Sequence, residues 1–239
     1  MENNIYGYNP GKDERVSSSL TFPALMSKVY LWMTLALLTT GLTAYYVANN
    51  ENILYSIVNN GAALIGLFIA ELALVMFLSA RIMKMSFATA GIMFTLYSIL
   101  NGATLSLILI AYTMESIATT FFVTAGTFGA MSLIGMFTKK DLSTMGRFLF
   151  MALIGLIIAT IVNIFVASSA FSWVLTYVGV LIFCGLTAYD TQNMKNILMN
   201  MEYAGDSNML KIALLCSLSL YLDFINLFLY LLRIFGDRE

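Results

Sequence analysis

Residues 212–234 read IALLCSLSLYLDFINLFLYLLRI, an apolar run carrying one carboxyl, Asp223, near its middle. At about 1.5 Å per residue the run is long enough to cross the ~30 Å hydrocarbon core of a bilayer as a helix. Cys216, Ser219, Asp223, Asn226, Tyr230 and Arg233 recur at spacings of 3, 4, 3, 4 and 3. At 100° per residue those positions share an arc of about 100°, a polar stripe along one helix face. Leu218, Leu222, Ile225 and Leu229 are expected on the opposite side, and Ser217 and Tyr221 fit neither set. A polar stripe cannot face lipid, so this helix must turn it towards protein or a water-filled path. Asp223 lies about 17 Å along from Ile212, near the membrane midplane.

Six further apolar segments precede this one: about Val29–Val47, Ala62–Ala80, Phe87–Tyr112, Ile117–Phe137, Phe148–Val166 and Phe171–Tyr189. Each approaches the roughly 20 residues a spanning helix needs. The ten-residue alternation of a membrane barrel is absent. The chain therefore reads as an all-α polytopic membrane protein with seven transmembrane helices. Its composition agrees, since 60% of the 239 residues are hydrophobic and only 10% charged, with a mean hydropathy of +0.85.

Composition also excludes functions. The 12 basic and 13 acidic residues nearly cancel, leaving no basic surplus for nucleic acid. Without a single histidine there is no Ser-His-Asp or Cys-His catalysis, and no haem or zinc site of the usual kind. No cofactor is expected. Cys184 and Cys216 sit in apolar runs and read as small packing residues.

Residues 1–27 are polar and read as a short mobile cytoplasmic tail, leaving 28–236 as one seven-helix domain. No small-x-small cleavage site follows Val47, so the first helix is expected to be retained. Lys12, Arg15, Lys28, Arg81, Lys84, Lys139, Lys140, Arg147, Lys195 and Lys211 all fall on one side of the predicted topology, which by the positive-inside rule is the cytoplasm. The N-terminus is thus expected inside. Arg233 and Arg238, beyond the last span, leave room for a bent or re-entrant final helix.

Ionisable residues at membrane depth are costly and so mark function by default. Three acids qualify: Glu71 in the second span, Asp190 at the end of the sixth and Asp223 in the seventh. Asp190 reads either as a functional acid or as an interfacial one near Lys195. Glu71 calls for a partner on another helix, because Arg81 lies too far along its own. Ser219, Asn226, Asn101 and Asn163 read at least as well as interhelical hydrogen-bonding glue. If Asp190 and Asp223 meet, they can share a proton near neutral pH and titrate as one unit. Losing that proton leaves repelling charges, and gaining another removes the charge, along with any link to a base such as Arg81. Two carboxylates also make a hard oxygen site suited to Ca²⁺. Depth opposes the contact, since with the sixth helix starting near Val174 Asp190 lies only about 6 Å from the cytoplasmic boundary, against about 17 Å for Asp223.

AYDTQNMK around Asp190, SLYLDFINLFLYLLRIFG around Asp223, and MFTKKDLSTMGRFLFMALIGLIIATIVNIF over residues 136–165 resemble the Bax inhibitor (transmembrane Bax-inhibitor-motif) family. The likeness covers residues 20–236, and the short tail resembles a bacterial member of the cytoplasmic (inner) membrane. The resemblance implies a central seventh helix surrounded by the other six. It also implies a pH-sensitive calcium leak whose sensor is a pair of embedded aspartates, here Asp190 and Asp223, with acid favouring leak. A basic latch at the end of the second helix has Arg81 as its nearest match in AELALVMFLSARIMK. Glu71 matches an acid of the family's second helix. Some bacterial members are instead linked to a membrane-anchored, ATP-dependent protease, so a non-conducting regulator is the other reading.

Two further classes fail on composition. A retinal protein needs a lysine midway along its last helix, and only Lys211 exists, at that helix's mouth. An intramembrane aspartyl protease has acids available, but AYDTQ and YLDFI lack the glycine arrangement of such a site.

Overall fold

The computed structural model describes residues 21–200 and 206–237. Nine α-helices and one 3₁₀ turn occur among them, with no strand: α1 Phe22–Ala48, α2 Glu51–Val58, α3 Gly61–Arg81, the turn Ile82–Lys84, α4 Phe87–Leu105, α5 Ile108–Ala111, α6 Met114–Phe137, α7 Ser143–Val166, α8 Ser169–Met199 and α9 Asp206–Phe235. Seven segments are long and apolar enough to span a membrane, built on α1, α3, α4, α6, α7, α8 and α9. They coincide with the seven apolar runs of the sequence.

Local chemistry sets many of the boundaries. Pro23 opens α1 in the first turn, where its missing N–H costs nothing. Asn50, Asn60, Ser86, Thr113 and Ser168 each accept a hydrogen bond from a first-turn backbone N–H, starting α2, α3, α4, α6 and α8. Asp141 accepts a bond from Ser143 N (2.9 Å) just before α7, and this bonding holds its carboxyl below the usual carboxylate range. Ala167 ends α7 in the left-handed region (φ 53°), so that α8 begins two residues later. Residues 22–27, read in sequence as the end of the tail, form the first turns of α1. Residues 1–20 lie outside the described residues.

The last helix occupies the centre. Leu214, Leu218, Tyr221, Leu227 and Leu232 are buried, and α9 packs on α1, α4, α6 and α8. α3 rests mainly on α4, and α7 on α8. These two present the most lipid-like surface: Ile65, Ile69, Leu72 and Met76 on α3 and Phe148, Ile154, Ile158 and Phe165 on α7 are exposed. In water such faces would be a liability; in hydrocarbon they need no cover. The C-terminal end of α9 is tied to the start of α6 by Thr113 N→Asp237 O (3.1 Å) and Asp237 N→Ser116 Oγ (3.0 Å). α9 therefore crosses completely and does not turn back.

α8 runs ten residues past Tyr189, where its hydropathy fades. The polar residues beyond that point are satisfied by protein. Thr191 Oγ1 meets Ser132 Oγ (3.0 Å), Gln192 accepts from Leu142 N and donates to Lys140 O (both 2.8 Å), and Lys195 Nζ donates to Met136 O (2.8 Å). The helix continues because α6 and the α6–α7 loop supply partners that lipid could not.

Candidate functional site

That extension moves Asp190 inward. It lies nine residues before the end of α8, about 14 Å of helix, rather than at its tip. Despite the difference in depth expected from sequence, the two aspartates meet at one cavity. Their side chains line the same cavity and interact across the α8–α9 interface. Ser219 Oγ also donates to Asp190 Oδ2 at 2.5 Å. A contact between two carboxyls is a hydrogen bond only with a proton between them. Asp223 is 5% exposed, and its Oδ2 has no hydrogen-bond partner.

Two cavities adjoin the pair. The larger, about 480 Å³, runs along the stripe from Ser219 through Asp223 and Asn226 to Tyr230, with Phe150, Leu153, Ile157 and Thr160 of α7 as its far wall. The smaller, about 230 Å³, extends the other way along α9 past Leu215 and Cys216, with Ser79 of α3 and Asn193 and Ile197 of α8. Asp190, Ser219 and Leu222 line both. The bond between Asp190 and Ser219 thus sits where the two spaces meet.

The remaining stripe residues are placed unevenly. Asn226 faces the larger cavity but donates back to Leu222 O of its own helix (2.7 Å). Tyr230 closes the far end, stacked on Phe183 at 5.8 Å and seated in the gap left by Gly179, where a Cβ would come within 2.6 Å of its ring. Arg233 bonds the Ser172 hydroxyl. Leu222, expected opposite the stripe, instead flanks it and lines both cavities, because it lies only one-ninth of a turn from Asn226 around the helix.

The other residues singled out in the sequence fall elsewhere. Arg81 is exposed at the end of α3 and bonds neither aspartate, although Ser79, two residues earlier, reaches the smaller cavity. Glu71 is buried on the far side of α9, where Thr104 and Asn101 of α4 donate to its carboxyl. Lys195 donates to the end of α6 and is no partner for Asp190. Asn101 bridges helices as expected, while Asn163 Oδ1 has no partner. Lys211, read only as a loop charge, is buried and donates to Met83 O (3.2 Å) at the turn after α3. No group of three or more His, Cys, Asp or Glu able to hold a metal occurs among the described residues.

A seven-span helical bundle with paired aspartates at the α8–α9 interface can be set beside known proteins. The family described as "Inhibitor of apoptosis-promoting Bax1" matches residues 23–239. This chain belongs to the Bax inhibitor family. It is 52% identical over 230 residues to the inner membrane protein YbhL of Escherichia coli K12, covering 96% of this chain and 98% of that one. It is 43% identical over 215 residues to an uncharacterised protein of Borreliella burgdorferi, covering 90% and 92%. An uncharacterised protein of Deinococcus radiodurans is 42% identical over 214 residues, covering 90% of each chain. None of these names denotes an enzyme. Like YbhL, this member of the Bax inhibitor family is an integral inner membrane protein.

Proposed function

We propose that the protein is a pH-sensitive cation leak, with calcium as the ion carried and the Asp190–Asp223 pair as its gate. The observation that carries this reading is the partnerless, buried Oδ2 of Asp223, whose residue lines the larger cavity close to Asp190 and Ser219, which border both cavities. A buried acceptor without a donor is expensive, so such a group has a use. Two carboxyls with the Ser219 hydroxyl and the Asn226 amide offer oxygen ligands to a passing divalent cation. The set is too sparse for the six to eight ligands of a storage site, which suits transit.

The gate follows from proton count. With one proton between them, the carboxyls are joined by a charge-assisted bond that holds α8 to α9 and separates the cavities. A second proton replaces it with a weaker neutral contact, and removal of the first leaves two repelling charges. Leak is therefore smallest with one shared proton and rises as acid adds the second. Arg81, near the smaller cavity through Ser79, is the base that could latch the singly charged pair from the cytoplasmic side.

The test is calcium entry into dye-loaded liposomes holding the purified protein, at several pH values. Entry that increases with acid and loses that pH dependence in Asp223→Asn supports the leak. No entry at any pH, with protein correctly inserted, supports a non-conducting regulator of a partner such as a membrane-anchored protease.

A further inference from the structure

The leak reading leaves a second buried carboxyl unused. Glu71 lies midway along α3 and is 8% exposed. Its Oε1 accepts from Thr104 Oγ1 and its Oε2 from Asn101 Nδ2 at 3.4 Å. The chain of bonds continues beyond Asn101. Tyr221 OH donates to Asn101 Oδ1 (3.0 Å) and meets Thr40 Oγ1 (2.7 Å), which also reaches Ser98 O (3.1 Å). One chain therefore joins α3, α4, α9 and α1. Its member on α9 is the tyrosine that fits neither face of the sequence pattern.

We propose that Glu71 is a positioning residue for α9, acting through the Asn101 amide on the Tyr221 hydroxyl to fix the rotation at which Asp223 faces its cavity. Tyr221 precedes Asp223 by two residues, about 200° around the helix, so holding one side aims the other. Its ring is fully buried and clamped edge-on by Phe94 (5.7 Å) and Tyr97 (5.9 Å), leaving the hydroxyl as the polar handle that sets register. The role of Glu71 is to orient an amide. Asn101 can present its carbonyl to Tyr221 only while its NH₂ group has an acceptor on the other side, and Glu71 is that acceptor. What the position requires is an oxygen, not a charge. Glutamine supplies one: its carbonyl accepts from Asn101, its NH₂ donates to Thr104, and the Thr104 hydroxyl turns to Leu100 O, already 3.4 Å away. Leucine supplies none, and frees Asn101 to turn over.

This inference concerns where α9 points and stands whether or not the protein conducts. Cys216 provides the readout, because it is buried on α9 and lines the smaller cavity beside Asp190. In the full chain with Cys184→Ala, reconstituted in liposomes, the rate at which N-ethylmaleimide modifies Cys216 reports the rotation of α9. Tyr221→Phe and Glu71→Leu should each raise that rate about fivefold, the effect of losing one buried hydrogen bond. Together they should do no more than either alone, since they break one chain. Glu71→Gln should stay at the parent rate. Tyr221→Phe is isosteric and decides the matter even if Glu71→Leu is not recovered folded. A Tyr221→Phe rate equal to the parent's, or a Glu71→Gln rate matching that of Glu71→Leu or Tyr221→Phe, overturns the proposal. Absent calcium flux with these labelling results intact would remove the leak reading alone.

Discussion

Ser219 donates to Asp190 Oδ2 at 2.5 Å, joining α8 to α9 at the boundary between the two cavities. It is the hydroxyl that the sequence pattern places one helical turn before Asp223, and it satisfies an aspartate on another helix. Ser219→Ala leaves that oxygen without its donor and weakens the closed arrangement. Bonds to charged groups contribute about 1.5–3 kcal/mol, so basal calcium entry at neutral pH should rise at least several-fold. Dye-loaded liposomes measure it, and an unchanged basal rate would remove Ser219 from the gate.

Close packing between α6 and α8 depends on a missing side chain. A Cβ on Gly135 would lie 2.1 Å from the carbonyl oxygen of Ala188, a backbone atom that cannot swing aside. Small residues permit such approach between membrane helices, and overpacking typically costs about 1–3 kcal/mol. Gly135→Ala should lower the melting temperature of the detergent-purified protein. Gly155→Ala, on α7 with open space around it, should not.

Gln192 holds the α6–α7 loop through two bonds of 2.8 Å, to Leu142 N and Lys140 O. Gln192→Leu breaks both while keeping the bulk. Trypsin should then cut after Lys139 or Lys140 markedly faster, with α8 itself intact. Equal cleavage rates would mean the loop is held by other contacts.

The distribution of basic residues predicts the orientation. A cysteine placed at position 237, in a chain whose own cysteines are replaced, should be blocked from outside the cell by an impermeant maleimide, whereas one at position 140 should not. Labelling at 140 alone would invert the topology.

The bundle was legible because lipid imposes a simple code of long apolar runs, and α9's stripe was legible because its polar residues recur at helical spacing. What remained hidden was non-local. The polar stretch after Asp190 reads as a helix end unless one knows that Ser132, Met136, Lys140 and Leu142 supply partners for it. Tyr221 makes no sense alone, since its partners Thr40 and Asn101 sit on two other helices. Glu71 announces a need for a partner but not its identity, thirty residues away on α4. Leu222 falls on the wrong side of the pattern because an arc drawn from polar residues alone ignores which neighbours leave space open.

The shared proton is best tested by infrared difference spectroscopy of the reconstituted protein across a pH titration. The account predicts a protonated-carboxyl band at neutral pH that is altered by Asp190→Asn and by Asp223→Asn alike, and that persists in Glu71→Gln. It also predicts that this band changes over the pH range in which calcium entry rises. Two carboxyls that titrate independently, each unaffected by removal of the other, would contradict it.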